Sequence, residues 1–372
     1  MKLIIRKSEL QKVFIAMSSA IAKKPIIPIT SCVKLDFIEK EEKTLIKFMA
    51  TDTATTMVLG ILTEKENVVD AHPVCIEHNM MLSLLKNLPE QPLEINFEIG
   101  HCSVKTETGL YDIITFGDEN FPLEPEITDP IKFTMPSSVL KDIVAAFKFT
   151  ADDELRPTMN GVHLESGDKG VFVNSTNAHY LLRKKVNIDV PEFKCIFPKS
   201  AMTIMKSIAG EYDEVNVAIS EKNIVINKGA MKAIFRRVEG AYPNVTAVIP
   251  SPDSARTKIT FQAEHMSKAI DRLSINENPS NLCVVEKKGV FVTMTSKNSD
   301  INITAAETLE TKDENGEDVR IGMKMSFAQA ILDYYGKAMI VQHIIDESKA
   351  MLFIEEENSD TIMLLMPMII TA

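Results

Sequence analysis

The chain has 372 residues, 45% hydrophobic and 25% charged, with 41 Lys and Arg against 52 Asp and Glu for a formal charge of −11. These proportions exclude a collagen-like rod, a coiled coil and wholesale disorder, and no apolar run reaches the roughly 18 residues of a membrane span. The length predicts two or three domains. If the charge of −11 were spread evenly it would argue against a nucleic-acid partner. The start, Met1-Lys2-Leu3-Ile4-Ile5-Arg6-Lys7, meets charge too early for a signal peptide. Cys32, Cys75, Cys102, Cys195 and Cys283 are scattered, without a C-x-x-C pair. The expectation is reduced, mostly buried thiols, no metal site and a cytoplasmic protein.

In chain order, an apolar strand over 3–5 leads into a helical pattern that starts at Ser8-Glu9-Leu10 and runs to about residue 22. Period-two alternation follows through Val33, Leu35 and Phe37, then a helix over 77–88, then alternation again from Leu93 to Ile99. The plan returns with a strand over 131–135 and a helix opening at Pro136-Ser137-Ser138. A second helix over 198–208 and alternation at Val215, Val217 and Ile219 complete that copy. It returns once more with a strand over 259–261, a helix from Ala263 and a helix over 326–335.

The anchors Leu10, Leu140 and Met266 lie 130 and 126 residues apart, and the motifs Phe121-Pro122, Tyr242-Pro243 and Met366-Pro367 are 121 and 124 apart. Three copies of about 124 residues follow, so repeats set the architecture. The predicted class is α+β, with two helices per copy on half-buried antiparallel sheet. The expected domains are 1–125, 126–251 and 252–372.

The six helices and their flanks carry eleven basic residues (Lys12, Lys23, Lys24, Lys86, Lys141, Lys148, Lys199, Lys206, Lys268, Arg272, Lys337). Six acidic residues accompany them (Glu9, Glu77, Asp142, Glu264, Asp271, Asp333). For one helix, solvated lysines explain such a bias. Shared by six, it predicts one basic surface that meets duplex phosphates without reading bases. No zinc-finger spacing, basic zipper or aromatic RNA-binding strand is present, and the absence of Trp leaves little for base stacking.

Catalytic signatures are missing too. There is no phosphate-binding glycine loop, no H-x-x-x-H or H-E-x-x-H pair and no G-x-S-x-G elbow. The acidic runs at Asp152-Asp153-Glu154, Asp313-Glu314 and Glu355-Glu356-Glu357 place adjacent carboxylates in different directions; the last fits a solvated hairpin turn. No cofactor is expected.

Several segments converge on one family. Asp153-Glu154-Leu155-Arg156-Pro157-Thr158-Met159-Asn160-Gly161-Val162 resembles the stretch that opens the middle domain of bacterial sliding clamps, the beta subunit of DNA polymerase III. Ser175-Thr176-Asn177-Ala178-His179-Tyr180-Leu181 resembles that family's T-D-[AG]-H-R-L element. Arg236-Arg237-Val238-Glu239-Gly240-Ala241-Tyr242-Pro243-Asn244 and Leu364-Leu365-Met366-Pro367-Met368 resemble its later elements, and 50–57 and 88–93 fit as well. The resemblance covers the whole chain in order.

It implies a non-catalytic processivity factor: a head-to-tail homodimer closing six domains into a ring around duplex DNA. Implied partners are the replicative DNA polymerase, the clamp loader and other proteins bearing clamp-binding motifs, with no membrane. The implied peptide pocket comprises Met159, Thr176, Ala178, His179, Tyr180, Leu181, Pro243, Val248, Leu365, Met366, Pro367 and Met368. Lys24 falls at a basic position that the family uses near DNA, while Lys23, Lys141, Lys148, Lys199, Lys206, Lys268 and Arg272 follow from helix position. Tyr180, Ala247 and Ile369 stand where many members carry a basic residue, so the apolar floor is expected to persist while the polar rim changes. A divergent clamp paralogue with other partners, of mobile-element type, and an α+β hydrolase are the competing readings.

Overall fold

A computed structural model describes residues 1–22, 24–312 and 316–370. Six helices recur on one plan, α1 (Lys7–Met17), α2 (His78–Asn87), α3 (Ser137–Ala146), α4 (Ala201–Glu211), α5 (Ala263–Leu273) and α6 (Met325–Tyr335), each following a strand. The repeat anchors are equivalent. Leu10, Leu140 and Met266 are each the fourth residue of their helix, and each is at most 1% exposed. Met81, Ile204 and Ala328 hold the same fourth place in the second helix of each copy and are also buried. Burial at a fixed helical phase is what an i, i+3, i+4 apolar stripe produces. In α1 the stripe is Leu10, Val13, Phe14 and Met17.

Two helix limits differ from expectation. The first helix stops at Met17, not near 22, because the hydroxyls of Ser18 and Ser19 donate to the carbonyls of Phe14 and Ala16 at 3.0 Å each. A 3-10 turn over Ser18–Ala20 follows. The helix expected from 198 begins at Ala201, since Pro198 closes the preceding strand and the hydroxyl of Ser200 accepts from Thr55 at 3.0 Å instead of capping. Alternation also ends one residue early: Leu93, Ile95 and Phe97 are buried, but Ile99 lies wholly exposed before Gly100 at φ 83°.

The chain forms two compact units. The first, Met1–Leu140 with Ser200–Arg237, holds an antiparallel sheet of thirteen strands, with α1 packed on α2. There His78 stacks on Phe14 with ring centroids 5.7 Å apart. Glu124 ties its strands together, its carboxylate accepting from Lys47 and Lys232 at 2.7 Å each. The second unit, Lys141–Lys199 with Val238–Ala372, holds sheets of eight and four strands, with α5 packed on α6. The middle repeat is therefore shared. Its strands Ile131–Pro136, Glu214–Ile219, Asn223–Lys228 and Met231–Arg236 join the first unit's sheet. Val162–Gly167, Gly170–Thr176, Tyr180–Val186 and Phe193–Phe197 join the second unit's.

All five cysteines are free and buried. Burial pushes the thiols of Cys75, Cys102 and Cys283 up to about 12 and that of Cys32 up to about 11, which leaves them protonated and unreactive. Glu355 ends a strand, and Glu356 and Glu357 lie in the hairpin turn that follows it. Asp313 and Glu314 lie outside the described residues. Among the described residues no group of three His, Cys, Asp or Glu is placed to hold a metal, and no helix is long and apolar enough to cross a membrane.

Candidate functional site

The expected peptide surface is built on one turn. Strands Gly170–Thr176 and Tyr180–Val186 pair antiparallel and meet through Asn177-Ala178-His179. The carboxamide oxygen of Asn177 accepts from the amides of His179 (2.9 Å) and Tyr180 (3.1 Å). The hydroxyl of Thr176 donates to the carbonyl of Tyr180 at 2.8 Å and accepts from the amide of Ala178 at 3.1 Å. Ala178 is held at φ 75°, a left-handed conformation that costs a residue with a Cβ.

The first copy makes the same turn. Thr51 bonds the Thr55 carbonyl and the Thr53 amide, Asp52 accepts from Ala54 and Thr55, and Thr53 stands at φ 76°. The middle copy thus keeps a structural turn of the repeat and changes what it displays, from Ala54 and Thr55 to His179 and Tyr180.

His179 points out to solvent and Tyr180 points in, 7% exposed. The Tyr180 hydroxyl donates to the carbonyl of Lys148 at 2.9 Å, and burial pushes the phenol above its ordinary value, so it stays a neutral donor. Its ring meets Phe149 edge-on at 5.3 Å and stacks on Phe327 of α6 at 4.7 Å. Tyr180 is therefore a core residue facing α6, where sequence comparison placed a rim residue.

The last strand builds a floor on the opposite face of the sheet, the one to which Leu181 points. Thr361–Leu365 pairs with Tyr180–Val186, setting Leu365 opposite Tyr180 and Leu364 opposite Leu181. Leu181, Val245, Leu352 and Leu364 form one buried cluster on which Tyr242 and Ile249 pack. The amide of Met366 donates to the His179 carbonyl at 2.8 Å, and that of Met368 to the Gly322 carbonyl at 2.8 Å. A Cβ on Gly322 would stand 2.4 Å from the Met368 carbonyl oxygen, so only glycine admits the tail there.

Around this floor the apolar surface is open: Val248 is 57% exposed, Met366 41% and Ile369 88%. Ala178 and Pro243 are exposed as well, and Pro367 and Met368 are half-buried. Met159 and Thr176 are buried, Met159 within the turn Pro157–Asn160. The repeat makes the exposure informative, because Phe121 is buried and Tyr242 half-buried where the equivalent Met366 is open.

Sequence reasoning missed Phe327, Lys324 and Gly322. Phe327 stacks on His179 at 5.8 Å as well as on Tyr180, and the Lys324 ammonium lies 4.4 Å from its ring centre. All three come from 319–327, which reads in sequence as an ordinary strand and helix start.

The basic residues divide. Lys148 pairs with Asp333 at 3.0 Å, Lys199 with Asp152 at 3.6 Å, and Lys268 with Glu264 at 2.7 Å. Arg272 grips Glu307 with two bonds, of 2.6 and 2.9 Å. Lys24, Lys141 and Lys206 are exposed, with no carboxylate within 4.0 Å among the described residues. Lys23 lies outside the described residues. Within the helices as folded, Lys7, Lys12, Lys86, Lys141, Lys206, Lys268 and Arg272 nearly balance Glu9, Asp142, Glu211, Glu264, Asp271 and Asp333. Of the basic residues expected on the helices, Lys24, Lys148, Lys199 and Lys337 lie outside them.

Residues 134–244 match the family model described as the DNA polymerase III beta subunit, central domain. The Beta sliding clamp of Bacillus subtilis (strain 168) is 22% identical over 340 residues, 88% of each chain. That of Staphylococcus epidermidis is 22% identical over 318 residues, 83% of each chain. Among solved structures, the DNA polymerase sliding clamp from Pseudomonas aeruginosa superposes with a TM-score of 0.90 at 19% identity, covering all of both chains. The DNA polymerase III beta subunit from Thermotoga maritima does so at 0.88 and 19%, again over all of both chains.

Proposed function

We propose, on the premise that the chain is homologous to the bacterial beta sliding clamps and has their fold from end to end, that it is a non-catalytic DNA sliding clamp. Two copies close head to tail into a ring around duplex DNA, each contributing clamp domains 1–125, 126–251 and 252–372. The ring tethers the replicative DNA polymerase, the clamp loader and other motif-bearing proteins in the cytoplasm. Topological closure, not affinity, supplies residence time. That suits a chain of net charge −11 whose candidate DNA cations are few and partly neutralised by their own carboxylates. Loose phosphate contact through Lys24, Lys141 and Lys206 leaves the ring free to slide.

One observation carries the reading: a whole-length clamp fold coincides with exposed apolar side chains at Val248 and Met366, positions where the resemblance puts partner peptides. Met suits such a surface because its flexible, polarizable side chain adapts to several partners.

The test is retention on DNA. The purified protein should size as a dimer of about twice 41.5 kDa, and once loaded should stay on closed circles and leave linear DNA from its ends. A monomer lost equally from both would overturn the reading.

A further inference from the structure

We infer that Met366 is a reversible oxidation site: a peroxide converts its thioether to the sulfoxide, and the oxidised protein releases partner peptides until a reductase removes the oxygen. The inference rests on reading the apolar surface as a peptide site and concerns how that site is regulated. All five thiols of the chain are buried, so its accessible sulfur is thioether. The twenty methionines all lie among the described residues, and three of them are exposed: Met80 at 39%, Met202 at 36% and Met366 at 41%. The others are half-buried or buried, which keeps an oxidant from their sulfur. Met80 lies on α2 and Met202 on α4, both in the first compact unit. Met366 is the one that stands at the expected peptide surface, directly after the last strand.

The backbone at Met366 is held without help from the sulfur. Its amide donates to the His179 carbonyl and the Met368 amide to the Gly322 carbonyl, both at 2.8 Å. The preceding Leu365 is fully buried and paired with Tyr180. An oxygen added to the exposed side chain therefore leaves the fold in place and changes what the surface presents. In the oxidation a sulfur lone pair attacks one oxygen of hydrogen peroxide. The S–O bond forms as the O–O bond breaks, sulfur gives up two electrons, and the second oxygen leaves as water. In the free protein water solvates the new sulfoxide at little cost. A peptide with an apolar anchor strips that water and returns no donor, so the penalty falls on the complex alone. The same linkage runs in reverse, because a seated peptide covers the sulfur and slows its oxidation. Methionine sulfoxide reductases A and B, one for each epimer, restore the thioether at the expense of a dithiol.

The test titrates the full-length protein, before and after hydrogen peroxide, with a labelled heptapeptide that has leucine and phenylalanine anchors and no sulfur. Oxidation should weaken binding about tenfold with Tm unchanged, and the two reductases with dithiothreitol should restore it. In Met366→Leu the same treatment should leave that variant's own affinity where it was. The double variant Met80→Leu with Met202→Leu should lose affinity as the unmodified protein does. Peptide present at about ten times its Kd should slow oxygen uptake at Met366 about tenfold, read by mass spectrometry, and leave Met80 and Met202 unaffected. If Met366→Leu binds too weakly to titrate, this shielding decides alone. Unchanged affinity once Met366 carries the oxygen, an equal loss in Met366→Leu, or absence of shielding overturns the inference and leaves the peptide site intact. No binding before oxidation overturns the peptide site itself, and the inference with it.

Discussion

The ring of Tyr180 lies on that of Phe327, with centroids 4.7 Å apart and planes inclined by 25°, while its hydroxyl donates to the Lys148 carbonyl at 2.9 Å. A residue from the turn of one hairpin is thereby fixed against a helix more than a hundred residues later. Tyr180→Phe keeps the stack and removes one hydrogen bond, so it should cost about 1 kcal/mol in urea unfolding and leave peptide affinity unchanged. Phe327→Ala removes the surface on which His179 and Lys324 also rest, and should weaken peptide binding by about tenfold, or 1.4 kcal/mol. Loss of affinity in the first variant and not the second would reverse these roles.

Gly322 and Met368 make a second checkable pair. A Cβ at Gly322 would collide with backbone, not with a movable side chain, so the tail must shift as a whole in Gly322→Ala. The expected result is faster hydrogen exchange at the Met368 amide, now bonded to the Gly322 carbonyl, and weaker peptide binding with little change in Tm. An unshifted tail signal in the variant would show that the seat is looser than the geometry implies.

Much of this is legible in the amino-acid sequence. The repeat is, because equivalent anchors occupy one helical phase and burial punishes any other residue type at Leu10, Leu140 and Met266. The turn at 176–180 is legible as a motif, while the inward rotation of Tyr180 is not, since it depends on Phe149 and Phe327, 31 and 147 residues away. The pairing of the basic residues is only partly legible for a related reason. Lys268 has its carboxylate at the i−4 position and can be discounted from sequence, but Lys148 meets Asp333 and Arg272 meets Glu307 only in the fold. The clash that singles out Gly322 belongs to a tail 46 residues later, and nothing local marks it.

For DNA, the pairing pattern separates the candidates. Charge reversal at Lys24 with Lys206 should lower retention at low salt and flatten its salt dependence by about 0.9 in log–log slope for each phosphate no longer neutralised. Reversal at Lys268, already paired with Glu264 at 2.7 Å, should change the slope less. Filter binding from about 50 to about 300 mM salt decides between them, and equal effects would favour one undivided basic surface.

Lys287 presents an unrelated liability. It is 0% exposed, on the strand face that also buries Cys283 and Val285, and its side-chain nitrogen has no hydrogen-bond partner among the described residues. A buried polar group without a partner costs about 1–3 kcal/mol. Lys287→Met, similar in length and apolar, should therefore raise stability by an amount in that range, read as an increased urea midpoint at constant m-value. Lys287→Ala tests the shape component, because it leaves a cavity and should not stabilise. A destabilised Met variant would mean that the amine has a function that the packing conceals.

Glu124 predicts the acid limb of the stability curve. Burial pushes its carboxyl up, but the ammonium groups of Lys232 and Lys47, each 2.7 Å away, outweigh that and hold it below the usual value. A carboxyl lowered in the fold contributes stability that is fully present above its unfolded value, about 4.3. That contribution disappears as pH falls through the lower folded value. Glu124 and its two lysines are between 24% and 37% exposed, so screening keeps the effect modest. Glu124→Gln should cost about 1 kcal/mol at pH 7, and the gap to the unmodified protein should close as pH drops below about 4. Thermal melts of both proteins between about pH 7 and about pH 3 measure that convergence. A gap that stays constant across the range would assign the loss to packing, not to the charge on Glu124.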